Sequence, residues 1–424
     1  MSPFSYRDGV LHAEGVDLRA ITREVGTPFY CYARAALTER YKAFNEAFAG
    51  VPHLLCFAMK TNSNQAVLTT LARLGAGMDV VSGGEIMRAR AAGVPGERIV
   101  FSGVGKTRAE MALALRENIL CFNVESEPEL EALSGIASAM GVTARISVRV
   151  NPDVDALTHA KISTGTYANK FGVPISEAPR VYARAAALPG IEVTGVDMHI
   201  GSQIVELAPI EAACTRLADL ARQLIAAGHR LTHIDVGGGL GVRYRADDAD
   251  PPGPQAYAET ILRHLGALGL KLIFEHGRLI AANAGILVSE VLYVKKGAAK
   301  TFVIVDAAMN DLVRPTLYEA WHEIVPVIAP APDALHSHVD VVGPVCESGD
   351  YLAQNRALPP LKAGDLIGVL SAGAYGAVQA GTYNTRPLVP EVMVDGTRWA
   401  TIRARPPVTA LIDADNVPSW LAQD

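Results

Sequence analysis

Eight short runs of apolar, β-branched residues alternate along this chain with amphipathic stretches. In those stretches apolar residues return every three or four positions, which predicts helices. Because strands that alternate with helices form parallel sheets, eight such units predict a closed (β/α)8 barrel of the TIM type. The predicted strands are His53–Met59, Gly77–Val81, Ile99–Phe101, Leu120–Val124, Ala144–Val150, Val193–Ile200, His233–Val236 and Lys271–Phe274.

The pattern changes after Leu279 to short alternating runs with turn signals, as in TFVIVDAAMND and EVMVDGTRWATIRARP. Such runs are typical of strands joined by tight turns, so an α/β barrel is expected to be followed by a C-terminal all-β domain. The predicted domains are an N-terminal segment, 1–31, that packs with the β domain; a barrel, 32–280; and a sandwich- or barrel-like β domain, 281–424.

A long step between the fifth and sixth predicted strands contains the segment HAKISTGTYANKFG. Loops of this length without structure of their own tend to be functional. We therefore expect the segment to reach over the mouth of the barrel.

The overall charge favours a small-molecule partner. The 424 residues include 38 basic and 44 acidic side chains, a net charge near −6, and no basic stripe suits a nucleic acid. No run reaches the roughly 18 apolar residues of a membrane span. The start, MSPFSYRDGVLHAEGVDL, lacks the basic region and apolar run of an export signal, so a cytoplasmic location is expected.

The cysteines and histidines do not indicate a metal site or disulfides. Five widely spaced cysteines without a CxxC motif predict reduced thiols. His336 and His338 lie in a proline-rich segment, and His229 and His233 span a helix-to-strand turn. Neither pair has a third ligand nearby, so we expect no bound metal.

Active sites of (β/α)8 barrels lie at the carboxyl ends of the strands, and these ends are unusually polar here. Lys60 closes the first predicted strand and would point its ammonium into the barrel mouth. A lysine desolvated there loses proton affinity, and its neutral amine can form an imine with an aldehyde. The structural alternative is a lysine that merely extends to solvent.

Three further strand ends suit a phosphorylated aromatic aldehyde. Glycines at 237–239 and at Gly277 would let backbone N–H groups approach an anion, or would only form tight turns. A carboxylate at Glu275 would keep a pyridine nitrogen protonated, or would pair with Arg278. His199 could stack on the ring, with Ser202 at the phosphate, although strand-end histidines are often structural.

The chain resembles the bacterial diaminopimelate decarboxylases, which belong to the fold-type III, alanine-racemase-like group of pyridoxal-phosphate enzymes. The resemblance runs in order from about residue 5 to residue 400 and so covers nearly the whole chain. Its motifs are CFAMKTNSN, GMDVVSGGE, ISTGTYANKFG, DMHIGSQI, HIDVGGGLG, DAAMNDLVRPTLY, GPVCESGD and AGAYG.

The resemblance implies pyridoxal 5'-phosphate as cofactor and decarboxylation of meso-2,6-diaminopimelate to L-lysine and carbon dioxide, the last step of lysine biosynthesis. It implies that Lys60 carries the cofactor, that His199 stacks on its ring and that Glu275 meets the pyridine nitrogen. The phosphate contacts it implies are Ser202, Gly238, Gly277, Arg278 and Tyr375.

The same resemblance assigns substrate contacts. Arg278, Arg314 and Tyr318 would bind the distal carboxylate, a role that suits guanidinium groups and a phenol, with Tyr375 beside them. Glu347 would bind the distal ammonium. Cys346 would reprotonate the substrate's α-carbon. In the family the second subunit contributes the residues that match Cys346 and Glu347, which implies a homodimer with shared active sites. The structural alternative for Cys346 is an ordinary buried cysteine in a turn of the β domain.

One motif departs from the family pattern. The usual Glu-Pro-Gly-Arg at the eighth strand is Glu275-His276-Gly277-Arg278 here. Proline fixes φ and lacks an N–H, so histidine is expected to loosen the turn and to add a titratable ring beside the phosphate.

Three other functions stay open. A decarboxylase of ornithine, arginine or lysine binds a substrate whose distal end is a cation, and Arg314 would repel that end. A racemase of this fold would carry an arginine, not Glu275, at the pyridine nitrogen. A non-catalytic cofactor-binding or regulatory homologue would usually lack the lysine or the cysteine, and this chain retains both.

Overall fold

The computed structural model describes residues 2–156 and 169–421, which divide into two compact units. The barrel unit comprises Ala36–Arg243 and Asp247–Ala281, and the β unit comprises Met1–Ala35, Tyr244–Ala246 and Ala282–Asp424. The expected loop over the barrel mouth lies outside the described residues from its start to residue 168.

The β unit begins with a small antiparallel sheet in the order β1-β2-β3, followed by one helix and a buried strand. Asp17 caps the helix because its carboxylate accepts the N–H of Arg19 at 2.8 Å. The elements are β1 (Phe4–Arg7), β2 (Val10–Ala13), β3 (Val16–Asp17), α1 (Leu18–Val25) and β4 (Phe29–Ala33).

The barrel unit is a closed ring of eight parallel strands in the order β5-β6-β7-β8-β9-β11-β12-β13, with β13 paired back to β5. The short strand β10 is not one of these eight strands and pairs with the last two residues of β9. The fold class predicted from the alternating runs is thereby confirmed. The strands are β5 (His53–Ala58), β6 (Gly77–Val80), β7 (Ile99–Phe101), β8 (Cys121–Val124), β9 (Ala144–Asn151), β10 (Val173–Pro174), β11 (Ile191–Met198), β12 (His233–Asp235) and β13 (Lys271–Phe274).

Polar capping residues start several of the helices between the strands. The Thr107 hydroxyl accepts the N–H of Glu110, whose carboxylate returns to the N–H of Thr107, which forms a capping box. Such caps supply partners for N–H groups that the first helical turn leaves unbonded. The helices are α2 (Arg34–Ala47), α3 (Gln65–Arg73), α4 (Gly83–Ala91), α5 (Arg108–Arg116), α6 (Glu127–Met140), α7 (Ala178–Ala187), α8 (Ala208–Ala226), α9 (Pro254–Leu265) and α10 (Arg278–Ala281).

The rest of the β unit is a sheet in the order β18-β17-β15-β14-β4-β20-β21, in which β19 pairs with both β14 and β16. The predicted all-β character of this region is confirmed. Its elements are β14 (Gly285–Lys296), β15 (Thr301–Val305), α11 (Arg314–Tyr318), β16 (Ile324–Pro326), β17 (Ser337–Val342), β18 (Tyr351–Leu358), β19 (Leu366–Val369), β20 (Glu391–Asp395), β21 (Arg398–Arg403) and α12 (Thr409–Ile412).

The barrel strands contribute an apolar core cluster that includes Leu54, Val100 and Ile273, all buried. Fully buried apolar side chains of this size contribute about 1.5–3 kcal/mol each. Charged and amide side chains line the interior nearer the carboxyl ends of the strands, which is where chemistry is expected. In the part of the chain that the structure describes, no helix has the length and apolar character needed to cross a bilayer.

Candidate active site

Lys60 lies in the turn directly after β5, at the carboxyl end of the barrel. Its ammonium donates to a carboxylate oxygen of Asp79 on β6 at 2.7 Å. The Asp79 side chain has no exposed surface, whereas that of Lys60 is 38% exposed. A fixed carboxylate therefore orients an amine that small molecules can reach.

Glu275 follows β13 at the same end of the barrel. Its Oε1 accepts hydrogen bonds from the Ser102 hydroxyl at 3.1 Å and from the Asn123 amide at 3.2 Å. Burial and the nearby carboxylates, Asp79 first among them, raise the pKa of Glu275 well above its usual value. A positively charged ring nitrogen placed against Glu275 would offset this penalty and favour the carboxylate form.

His199, just after β11, is held as a neutral ring. Its Nδ1 accepts the backbone N–H of Gly238 at 3.1 Å, so the ring proton resides on Nε2. Burial and the positive charge of Arg149 lower the pKa of His199 well below its ordinary value. The N–H of Gly238, predicted to face the phosphate, is thus directed to His199 in this structure.

The glycines around these residues leave no space for side chains. A Cβ on Gly238 would collide with the carbonyl oxygen of Glu275, and one on Gly277 with the Thr61 hydroxyl. Gly237 and Gly239 have φ values of 70° and 110°, which other residues rarely adopt. Residues without side chains also let backbone N–H groups approach an anion closely, as a phosphate cradle requires.

Arg278 begins α10 beside this glycine cluster. Its guanidinium donates to the Ser202 hydroxyl from Nε at 3.2 Å and from Nη2 at 3.0 Å. Two residues predicted at the phosphate are therefore in contact. Pyridoxal phosphate would fit these groups. Its aldehyde suits the amine, its ring nitrogen the carboxylate, its ring the neutral imidazole, and its phosphate the cationic, glycine-lined corner.

The prediction that His276 adds a titratable ring beside the phosphate is wrong. Side chains of successive residues in an extended segment point to opposite sides, so Glu275 faces the interior and His276 faces the surrounding helices. The His276 ring lies 4.7 Å from Phe44 of α2 and 5.2 Å from Tyr257 of α9. Burial lowers its pKa to about 3, so the ring stays neutral and is no titratable group beside a phosphate.

The interior also contains charged residues that sequence reasoning did not assign. Arg149 on β9 pairs with Glu125 at 3.2 Å, and its guanidinium lies 4.8 Å from the ring of Phe171. Asp197 on β11 and Asp235 on β12 place carboxylate oxygens within 4.8 Å of those of Glu275. Their positions within apolar runs, directly before the motifs at the strand ends, were the available signal.

The β unit holds the residues predicted to contact the substrate's distal end. Arg314 is buried at the start of α11 and donates to Nε2 of His322 at 2.7 Å. The guanidinium also lies 4.8 Å from the ring of Tyr244, a cation–π distance. Tyr318 ends the same helix, and Tyr375 is half-buried in a left-handed conformation with φ of 57°.

Cys346 and Glu347 are both exposed on a turn before β18, so Cys346 is not the ordinary buried cysteine of the structural alternative. The N–H of Cys346 donates to the Asn384 side chain at 3.1 Å. The carboxylate of Asp350 accepts the N–H groups of Val345 and Met309, both at 2.6 Å, and fixes the turn.

The residues predicted to hold the cofactor, other than Tyr375, thus meet at one end of the barrel. They are Lys60, His199, Ser202, Gly238, Glu275, Gly277 and Arg278. The remaining predicted site residues lie in the β unit, within or near α11 and the turn before β18, or in the segment after β19. They are Arg314, Tyr318, Cys346, Glu347 and Tyr375.

Comparisons with known proteins agree with this arrangement. Residues 34–282 match the family model of the pyridoxal-dependent decarboxylase, pyridoxal binding domain. The diaminopimelate decarboxylase of Pseudomonas aeruginosa is 52% identical over 98% of this chain and 99% of its own length. That of Vibrio cholerae is 50% identical over 98% of this chain and 99% of its own length.

Solved structures show the same relationship. The diaminopimelate decarboxylase from Helicobacter pylori, complexed with L-lysine, has a TM-score of 0.90 and 44% identity over 94% of this chain and 99% of that one. The enzyme from M. jannaschii, also in complex with L-lysine, has a TM-score of 0.93 and 33% identity over 99% of this chain and 98% of that one. The chain therefore belongs to the diaminopimelate decarboxylase family of pyridoxal-phosphate-dependent decarboxylases.

Proposed function

We propose that this enzyme decarboxylates meso-2,6-diaminopimelate to L-lysine and carbon dioxide. The choice of substrate rests on the buried guanidinium of Arg314. This group donates a hydrogen bond to the imidazole of His322 and makes a cation–π contact with the ring of Tyr244. The relatives at about half identity over nearly the full chain are diaminopimelate decarboxylases, which supports the same choice.

The barrel residues are assigned to the cofactor by their chemistry. Lys60 would attach it, His199 would stack on its ring, and Glu275 would accept a hydrogen bond from the ring nitrogen. Bound pyridoxal phosphate supplies an electron sink for the bond that breaks at the substrate's α-carbon. Phosphate contacts are assigned to Ser202, Gly238, Gly277, Arg278 and Tyr375, with the N–H of Gly238 shared with His199.

The distal end of the substrate explains why Arg314 selects meso-diaminopimelate over lysine and ornithine. In meso-diaminopimelate that end carries an ammonium and a carboxylate, whereas lysine and ornithine end in an ammonium alone. A guanidinium stabilises the carboxylate by paired charged hydrogen bonds and repels a lone cation. Tyr318 would add a phenol donor to that carboxylate, Arg278 a second guanidinium and Tyr375 a further phenol. Glu347 would bind the ammonium.

We further assign Cys346 to the return of a proton to the α-carbon, and we place Cys346 and Glu347 in the partner's active site within a homodimer. Both side chains are exposed on their turn in the single chain, which supports a position at an interface. All five cysteines are free thiols, which supports a reducing, cytoplasmic location.

The test is carbon dioxide release by the purified holoenzyme from meso-diaminopimelate, L-lysine, L-ornithine and L-arginine, compared side by side. The substitutions are Arg314→Ala and, as matched control, Arg398→Ala, which removes an arginine that is 81% exposed. We expect release from meso-diaminopimelate only. Arg314→Ala should raise its KM by about tenfold or more, as for a lost charged hydrogen bond, and Arg398→Ala should not change it.

Each alternative gives a distinct result. Release from ornithine, arginine or lysine at a higher rate would identify a decarboxylase of another basic amino acid. Bound cofactor without release from any of the four would identify a non-catalytic homologue. An unchanged KM in Arg314→Ala would remove the distal carboxylate from this residue.

A further inference from the structure

The upper interior of the barrel contains more carboxylates than cations. Lys60 pairs with Asp79 at 2.7 Å, and Arg149 pairs with Glu125 at 3.2 Å. Both cations therefore have a carboxylate partner of their own. The carboxylates left over are those of Asp197, Asp235 and Glu275.

Asp197 and Asp235 are neighbours in register on the parallel strands β11 and β12. They are 1% and 0% exposed, and their carboxylate oxygens lie within 4.8 Å of one another. One oxygen of Asp235 accepts the N–H of Gly237 at 2.9 Å. The other oxygen of Asp235, and Oδ1 of Asp197, have no hydrogen-bond partner within residues 2–156 and 169–421.

Two ionised carboxylates in this setting would be strongly destabilised, because burial and mutual repulsion both disfavour the charged forms. Burial first, and the neighbouring Asp235 carboxylate second, raise the pKa of Asp197 well above its ordinary value. Burial raises the pKa of Asp235 to about 7, against the lowering effect of the Gly237 N–H, with a further increase from Asp79.

Compensation from the surroundings does not cancel this penalty: the Asn123 amide and the charge of Arg149 lower the pKa of Asp235, and Arg149 also lowers that of Asp197, yet both pKa values stay raised. Arg149 on β9 is the in-register neighbour of Asp197, but its guanidinium is bonded to Glu125. His233 on β12 is neutral, since burial lowers its pKa to about 4. The other titratable, charged or polar groups that interact with the pair within the described residues are Cys56 on β5, Asp79 on β6, Cys121 and Asn123 on β8, Glu125, Tyr182 on α7, Tyr257 on α9, and Glu275.

We propose that Asp197 and Asp235 hold one proton between them at neutral pH, so that the pair carries a single negative charge and acts as a positioning element behind Glu275. The retained proton keeps a third full charge away from Glu275. Glu275 is then the carboxylate left to meet the cofactor's ring nitrogen, a step of the argument that rests on the proposed function.

A metal ion is the competing way to neutralise three carboxylates. Hard cations such as Ca²⁺ and Mg²⁺ take about six to eight oxygen ligands, or keep several waters in an octahedron. The oxygens here are few, and Oε1 of Glu275 already accepts hydrogen bonds from Ser102 and Asn123. The geometry therefore favours a proton over a metal ion as the group that offsets the carboxylate charge, and the metal content of the purified protein distinguishes the two.

The variants are Asp197→Asn and Asp235→Asn, because an amide has the size and neutrality of a protonated carboxyl. Infrared spectra of the holoenzymes at neutral pH report the carbonyl band of protonated carboxyl groups. We expect that band in the unsubstituted holoenzyme and a loss of about one carboxyl equivalent in at least one single variant, because the aspartate that is ionised beside a protonated carboxyl should also be ionised beside an amide. Asp340→Asn is the matched control.

Asp340 is 5% exposed and pairs with Lys300 at 2.8 Å. Burial opposes its ionisation, but the Asn355 N–H and Lys300 lower its pKa overall. It is therefore ionised at neutral pH, and its replacement should leave the carbonyl band unchanged. This control separates loss of a shared proton from loss of any buried aspartate.

Stability against pH gives a second readout. An aspartate in the unfolded chain releases its proton near pH 3.8, whereas in the folded chain the pKa of Asp235 is raised to about 7 and that of Asp197 well above its ordinary value. The folded state thus binds more protons in this window, and stability falls as pH rises through it. Relative to either Asn variant, the unfolding equilibrium constant of the unsubstituted holoenzyme should rise about tenfold per pH unit there.

Three results would overturn the proposal: a carbonyl band that both single variants leave unchanged, parallel stability curves for the unsubstituted and substituted holoenzymes, or a stoichiometric metal ion in the purified protein that either substitution releases. If one variant fails to fold, the other single variant and the metal content of the unsubstituted holoenzyme still decide. None of these readouts uses a substrate, so failure of the proposed decarboxylation is detected separately by the carbon dioxide measurement.

Discussion

The ammonium of Lys60 lies 2.7 Å from the carboxylate of Asp79 on the adjacent strand β6. Asp79 is wholly buried, and its charge acts on Glu275 and Asp235 at the same end of the barrel, so the contact holds the Lys60 amine near these residues. The pair defines where an aldehyde must be placed to react with the amine. It also gives Asp79 a function that depends on its charge.

Asp79→Asn should therefore lower kcat/KM by about 100-fold, the effect of misplacing a reacting group by about an ångström. Cofactor titration should show weaker binding in the same variant. The control is Asp340→Asn, which breaks a Lys–Asp pair of similar length, 2.8 Å, in the β unit. Equal activity of the two variants would contradict an orienting role for Asp79.

The hydrogen bond from Arg314 to His322 predicts a selective effect on substrate binding. Nδ1 of His322 donates to the carbonyl of Leu370 at 2.8 Å, which leaves Nε2 as the acceptor for Arg314 at 2.7 Å. His322→Phe removes that acceptor, and a hydrogen bond to a charged group is worth about 1.5–3 kcal/mol. The KM for meso-diaminopimelate should rise about tenfold or more, with kcat changed much less.

Two further variants test whether the acceptor matters. His322→Gln keeps an acceptor and should recover part of the affinity. His338→Phe, which removes an exposed ring bonded to the carbonyl of Asn355, should leave KM unchanged. A fall in kcat alone in His322→Phe would show that the ring acts on something other than Arg314.

His276 should be dispensable for stability despite its burial. Neither ring nitrogen has a hydrogen-bond partner in the described chain, and a buried polar group without a partner costs about 1–3 kcal/mol. His276→Phe should raise the midpoint of thermal unfolding. His53→Phe should lower it, because the His53 ring is hydrogen-bonded to both Val51 and Asn45. A lower midpoint for His276→Phe would show that the ring nitrogens have partners.

Gly277 should tolerate no side chain. A Cβ there would clash with the Thr61 hydroxyl and lie 3.1 Å from the Ala58 Cβ, and such overpacking costs about 1–3 kcal/mol. Gly277→Ala should weaken cofactor binding, measured by absorbance titration. Gly135→Ala, at an open position inside α6, should leave binding unchanged and stabilise the helix by about 0.5–1 kcal/mol. Normal cofactor binding by Gly277→Ala would argue against a tight cradle.

The barrel was predictable because its signals are local. Each strand and each helix has its own hydrophobic period, and the alternation of the two dictates a parallel sheet. Strand ends then locate the active site, which is how Lys60 and Glu275 were selected. The predicted sixth strand was two residues late at both ends, since β11 spans Ile191–Met198.

Other features depend on contacts that a linear pattern does not display. Strands buried on both faces read as continuous apolar runs, so the sequence shows Asp197 and Asp235 as aspartates within such runs but does not show which face of the sheet they occupy. The direction of His276 follows from alternation with Glu275, a local rule that the family motif obscured. Strand β18, YLAQNRAL, was not recognised because register shifts against β17 break its alternation of buried and exposed residues.

The most direct test of the central claim is to identify the lysine that carries the cofactor. Borohydride reduction of the holoenzyme, followed by peptide mass spectrometry, converts a lysine–cofactor link into a stable mark. The mark should fall on the peptide that contains Lys60 and should be absent from Lys60→Ala protein. A mark on another lysine, or a cofactor link that survives in Lys60→Ala protein, would contradict the account.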